Sequence, residues 1–315
     1  MAPGARRWSA TIAAALPVVV VTAADPRGWS PYGPAKWLAV SVVAAAAITT
    51  TLGSARVIVV PRLMVRWGAL LAIAAIAAAV GLDRRYAWIG TGERHLGVVT
   101  WVAFAAMFMV GVANASSART VILGTLTAGG VLGLGAVAEL AGYRVVDLSA
   151  ATDRLTVGFG SGAFLGAASA LLLPIAGAVA VGSRQRRVRV LAFAVCLGIS
   201  LCLGGSGARA AWLGAIAAVA AVAWLRRADR WPRTRTLVLG FTALLGAAVL
   251  AAVLSGSASR ASTLTSTEAG GLRGRLDEWN VAAHVVAARP LLGTGPEGYR
   301  IAATRQISAA YERAH

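Results

Sequence analysis

Apolar stretches of about 17–25 residues follow one another along most of this chain, each long enough to cross about 30 Å of hydrocarbon as a helix. They are apolar on every face rather than along one stripe, which argues against a soluble Ala-rich bundle. Composition agrees, with 58% hydrophobic and 13% charged residues and a mean hydropathy of +0.71. Soluble domains carry about 45–50% apolar and about 25% charged residues. The expected fold is an all-α integral membrane protein with about nine transmembrane helices, at 8–24, 35–53, 67–82, 96–114, 120–140, 158–181, 188–205, 210–225 and 236–254. The first stretch follows Arg6 and Arg7 in the manner of a signal peptide, but the spans after it favour an uncleaved helix, with Pro17 a point for a kink.

The net charge of +18 does not mark a nucleic-acid binder, because the arginines punctuate the apolar runs instead of gathering in one basic domain. Arg6 and Arg7, Arg56 to Arg66, Arg119, Arg184 to Arg189 and Arg226 to Arg235 fall on one side of the alternating spans and outnumber the basic residues of the other. By the positive-inside rule that side, with the N-terminus, is cytoplasmic. Residues 1–254 then form a polytopic domain in the cytoplasmic membrane, and 255–315 a large extracytoplasmic loop. Within the loop, "RLDEWNVAAHVVAARP" spaces Leu276, Trp279, Ala283 and Val286 as an amphipathic helix that Pro290 helps to end. Cys196 and Cys202, six apart in a span, read as apolar packing.

On this topology "SGARAAWLG" at 206–214 lies at the outer boundary, and Arg209 has no acidic residue near it in the sequence. It is either a terminal residue snorkelling to the interface or part of an anion site, since guanidinium stays charged and presents a planar fork of donors. Arg273 and Arg275 precede the amphipathic helix, and Arg275 stands one turn before Trp279. Cations facing outward beside a membrane point to an anionic headgroup or a diphosphate-linked lipid.

Three stretches together resemble the O-antigen ligase and polymerase family of bacterial envelope proteins. "SGARAAWLG" is similar to its Ser–Arg–small–Ala–Trp–Leu motif, with Gly207 and Ala208 inserted between serine and arginine. "GRLDEWNVAAHVVAARPLLGTGPEGYR" resembles its outer-loop signature, and "RLTVGFGSGAFLGAASALLLP", from Arg154, a weaker segment in which Ser161, Gly162 and Ala163 replace Asn–Pro–Asn. His315 matches the position of the loop histidine. The family's later helices are expected beyond it, so the chain reads as C-terminally truncated.

The resemblance implies transfer or polymerisation of glycans from an undecaprenyl-diphosphate carrier, with a glycan, lipid or protein acceptor, membrane lipids around the protein and no cofactor or metal. Arg209 and Arg275 would stabilise charge on the leaving diphosphate, and His315 would act as base. Arg273, Trp279 and Arg154 would bind substrate. A transporter or flippase of lipid-linked saccharides, or a non-catalytic membrane partner, is the rival reading. "GTGPEG" at 293–298 fits GxGxxG in form, but it follows a helix rather than a strand and contains a proline.

Overall fold

The structure, a computed structural model, describes residues 3–26, 32–54, 62–92, 94–144, 154–225, 234–257 and 272–307. The helices are α1 (Pro3–Thr22), α2 (Pro34–Ser54), α3 (Leu63–Ala79), α4 (Arg84–Ile89), α5 (Val98–Ala113) and α6 (Ala118–Leu140). They continue with α7 (Gly162–Gly182), α8 (Arg186–Gly205), α9 (Arg209–Leu225), α10 (Thr234–Leu254), α11 (Leu272–Ala288) and α12 (Tyr299–Thr304). No strand occurs among the described residues.

The expectation of about nine spanning helices is not met. Among the described residues four helices are long and apolar enough to cross a membrane: Pro34–Gly53, Ala115–Leu140, Gly162–Gly182 and Arg186–Gly205. The apolar stretches Trp8–Thr22 within α1, Leu63–Ala79, Val98–Ala113, Arg209–Ala221 within α9 and Gly240–Leu254 within α10 are shorter. The reason is visible at α3 and α5, which have 17 and 16 residues. At 1.5 Å per residue such helices reach only about 25 Å, short of a bilayer core. Hydropathy counts apolar residues, whereas Val80 and Asp83 set where α3 stops and α4 starts. Asp83 caps α4 by accepting the Tyr86 N–H at 3.0 Å, so the chain turns before a full span is complete.

The chain divides into two compact units, one of 1–9, 44–116 and 262–315 and one of 10–43 and 117–261. In the second, α8 packs against α6, α7 and α10, and α9 lies along α7. Small residues permit this closeness. A Cβ at Gly133 of α6 would stand 2.8 Å from Gly198 Cα on α8, and one at Gly204 would stand 1.9 Å from the Ala248 carbonyl oxygen on α10. Leu132, Leu165, Cys196, Ile199 and Cys202 fill the space between, almost wholly buried. On the opposite faces Leu134, Leu171 and Leu213 are each more than 70% exposed, which suits contact with lipid and not with water.

In the first unit, α3, α4 and α5 pack as a corner. Ser9, Thr51 and Asn114 form a buried polar cluster, with the serine and threonine hydroxyls 2.8 Å apart and the asparagine amide donating to the Val110 carbonyl at 2.9 Å. Polar side chains withdrawn from water in this way must satisfy one another.

Candidate functional site

In the second unit the segment 154–161 crosses one end of the bundle as a strap, pinned along its length. The Leu155 N–H donates to the Gly205 carbonyl at 2.9 Å, tying the strap to the end of α8. Glu139, near the end of α6, accepts from the Thr156 N–H at 3.0 Å, the Thr156 hydroxyl at 3.1 Å and the Val157 N–H at 3.0 Å. Arg144 Nε completes its set at 3.2 Å, and the Glu139 side chain is only 6% exposed. A carboxylate so buried is tolerable because each lone pair has a donor. Farther along, Lys36 Nζ donates to the Gly158 carbonyl at 2.6 Å and to that of Val20. The ammonium also sits 4.6 Å from the Phe159 ring centre. Tyr32 packs on Gly160, where a Cβ would meet the ring at 2.3 Å. Burial, with the Glu139 charge adding to it, raises the pKa of the Tyr32 phenol, which therefore stays neutral.

The strap delivers Arg154 to the turn between α8 and α9. A Cβ at Gly162, the first residue of α7, would lie 3.1 Å from Arg154 Cδ and 2.5 Å from the Ser206 carbonyl oxygen. A Cβ at Gly207 would lie 3.6 Å from Arg154 Nε. Gly207 has φ +60°, a conformation that favours glycine, and lets the chain reverse tightly. Ser206, fully buried, donates to the Leu203 carbonyl at 2.8 Å and accepts the Ala208 N–H at 3.2 Å. Ser257 braces the turn by donating to the Gly204 carbonyl at 3.1 Å. Arg209 follows as the exposed first residue of α9. Arg154 thus reaches the turn that leads into Arg209, 55 residues later in the sequence. The positive ends of α7 and α9 add to their charge.

In the first unit the loop 293–298 docks on the corner of α3, α4 and α5. The Leu82 N–H donates to the Thr294 carbonyl at 3.1 Å. Glu297, held at φ +60°, accepts from the Leu96 N–H at 3.2 Å and the Thr91 hydroxyl at 3.5 Å. His95, beside Leu96, has φ +52°. A non-glycine residue in that region costs on the order of 1–3 kcal/mol, which the surrounding bonds must offset. Arg300 stacks over the Tyr86 ring at 5.7 Å. Glu278, Val281, Tyr299, Ala303 and Ile307 line an open groove of about 270 Å³ against α11 and α12.

Of the residues expected from the sequence, Arg154 and Arg209 share the strap and turn just described. Arg273 and Arg275 lie in the first turn of α11, which runs unbroken to Trp279, 67% exposed. His315 lies outside the described residues. Glu139 and Lys36, which hold the strap, were not singled out as site residues by sequence reasoning. The one available signal was that Lys36 is the single lysine in an arginine-rich chain. No group of three or more His, Cys, Asp or Glu among the described residues is placed to hold a metal ion.

Apolar helices packed through glycine contacts, with lipid-suited faces and polar machinery at one end, define a multi-pass membrane protein. Residues 192–315 match the family model described as O-Antigen ligase. The match opens within α8 and includes Arg209, Arg273, Arg275, Trp279 and His315, with Arg154 before it. No curated protein and no solved structure matches the chain.

Proposed function

We propose that the protein transfers or polymerises a glycan from an undecaprenyl-diphosphate carrier on the outer face of the cytoplasmic membrane. The observation that carries this reading is the match of residues 192–315 to the O-antigen ligase family model, a stretch that contains the arginines and the histidine on which such chemistry would depend. An acceptor hydroxyl attacks the anomeric carbon of the donor. The bond to the bridging oxygen breaks, and the lipid diphosphate leaves with the electron pair. Arg209 and Arg275 stabilise the growing negative charge, and His315, a residue type suited to general-base work, takes the hydroxyl proton. Arg273, Trp279 and Arg154 hold substrate groups.

The orientation belongs to the same proposal. In the second unit Arg119, Arg184, Arg186, Arg187 and Arg189 lie at the ends of α6, α7 and α8 opposite the strap. A basic end of this kind is the cytoplasmic one by the positive-inside rule, which directs the Arg154–Arg209 turn outward.

The test is transfer by the purified full-length protein from a synthetic undecaprenyl-diphosphate oligosaccharide to added acceptors. Loss of one preorganised donor to a developing oxyanion lowers turnover about 100-fold or more, so Arg209→Ala and Arg275→Ala should each reduce transfer by that order. Undiminished transfer in both variants would remove them from the mechanism. Absence of transfer by the parent protein would count against the reading itself.

A further inference from the structure

The groove between α11 and α12 is acidic in a strongly basic chain. With 30 basic residues against 12 acidic ones, an opening lined at random would more often meet a cation. The lining residues here, Glu278, Val281, Tyr299, Ala303 and Ile307, include one carboxylate and no cation. A diphosphate or an anionic headgroup would be repelled from such a groove, and a lipid tail would offer the carboxylate no donor. What the groove presents is an acceptor and an aromatic ring. Tyr299 is 45% exposed, and its hydroxyl donates to the Glu278 main-chain carbonyl at 3.5 Å, which ties the start of α12 to α11. An aromatic face is negative and attracts the weakly positive C–H bonds on one side of a pyranose ring. An ionised carboxylate accepts several hydrogen bonds, and those it takes from hydroxyls are charge-assisted. Val281, Ala303 and Ile307 supply apolar surface beside them. At about 270 Å³ the groove falls just below the ~300–1,000 Å³ of sites that hold drug-sized ligands, which suits a single ring.

We propose that this groove is a sugar subsite, holding one neutral pyranose unit of a glycan by its hydroxyls on Glu278 and its C–H face on Tyr299. On α11, Arg275 stands three residues before Glu278, so the two positions are neighbours on one side of the helix. The link between them rests on the proposed use of a carrier-linked donor, in which the first sugar is bonded directly to the diphosphate that Arg275 would stabilise. A sugar of the acceptor offers the same hydroxyls and C–H face. Neither Glu278 nor Tyr299 takes part in charge stabilisation or proton transfer, so their loss should act on binding and not on turnover.

The experiment uses the purified full chain in detergent. The probe is the oligosaccharide released by mild acid from the carrier of the source strain, free of lipid and phosphate, with binding read by saturation-transfer NMR. Glu278→Gln and Tyr299→Ala should each bind it about ten-fold more weakly at an unchanged melting temperature. Tyr299→Phe keeps the ring and should bind like the parent. Glu278→Gln is isosteric and decides the matter if Tyr299→Ala melts lower. In transfer from a synthetic undecaprenyl-diphosphate oligosaccharide, the two variants should raise the donor KM about ten-fold with kcat little changed. A rise in the acceptor KM alone keeps the subsite and ends its link to Arg275. If the parent transfers glycan and both variants bind the oligosaccharide as it does, the inference fails and the transfer reading survives. If the parent binds the oligosaccharide through Glu278 and Tyr299 but transfers nothing, the subsite stands and the transfer reading fails. Neither binding nor transfer by the parent overturns both.

Discussion

At the scale of single residues, Glu139 organises the strap end of the second unit. Its carboxylate satisfies two backbone N–H groups, one hydroxyl and one guanidinium from the end of α6. Glu139→Ala leaves those donors without their acceptor in a poorly solvated place and should cost about 2–4 kcal/mol, read as a lower melting temperature in detergent. Glu139→Gln keeps one acceptor oxygen and should cost less than half as much. Equal melting of both variants and the parent would show that the strap is held by other contacts. Nothing in the sequence pattern marks Glu139 as the anchor of the strap. Its partners Thr156 and Val157 stand 17 and 18 residues away, across a segment with no periodic pattern to align them.

At the scale of elements, glycine positions decide how near the helices come. Gly133 and Gly198 face each other, and a Cβ on either would meet the other's Cα at 2.8 Å or less. Gly133→Val should therefore push α6 from α8 and cost about 1–3 kcal/mol or more, since backbone cannot yield as a side-chain tip does. Gly177→Ala in α7, where a Cβ meets nothing within 4 Å, is the matched control and should melt like the parent. Similar losses for the two would contradict the packing account. The sequence made the long apolar helices and the existence of α11 legible, but the face it named on α11, Leu276, Trp279, Ala283 and Val286, is exposed, and the helix buries Val281 and Val285 instead. Nor did the sequence reveal how many of the helices are long enough to span. Asp83, just past the expected stretch 67–82, caps α4, and Gly97, at the start of the expected stretch 96–114, precedes α5, so the two flanking helices are bounded at 17 and 16 residues.

At the scale of the molecule, the two units carry different parts of the candidate machinery. The second holds Arg154 and Arg209 around a braced turn, and the first holds α11 with Arg273, Arg275 and Trp279. The turn was readable because Gly207 and Arg209 interrupt two apolar runs. Its juxtaposition with Arg154 was not, because it depends on a strap fixed by the distant side chains of Glu139 and Lys36. The reading of the whole protein as a handler of carrier-linked glycans makes a direct demand on the cell. The decisive measurement is the profile of undecaprenyl-linked glycans extracted from a strain lacking the gene. The account predicts accumulation on the carrier, as long chains if terminal transfer is lost or as single repeat units if chain growth is lost. A profile identical to that of the parent strain would contradict it.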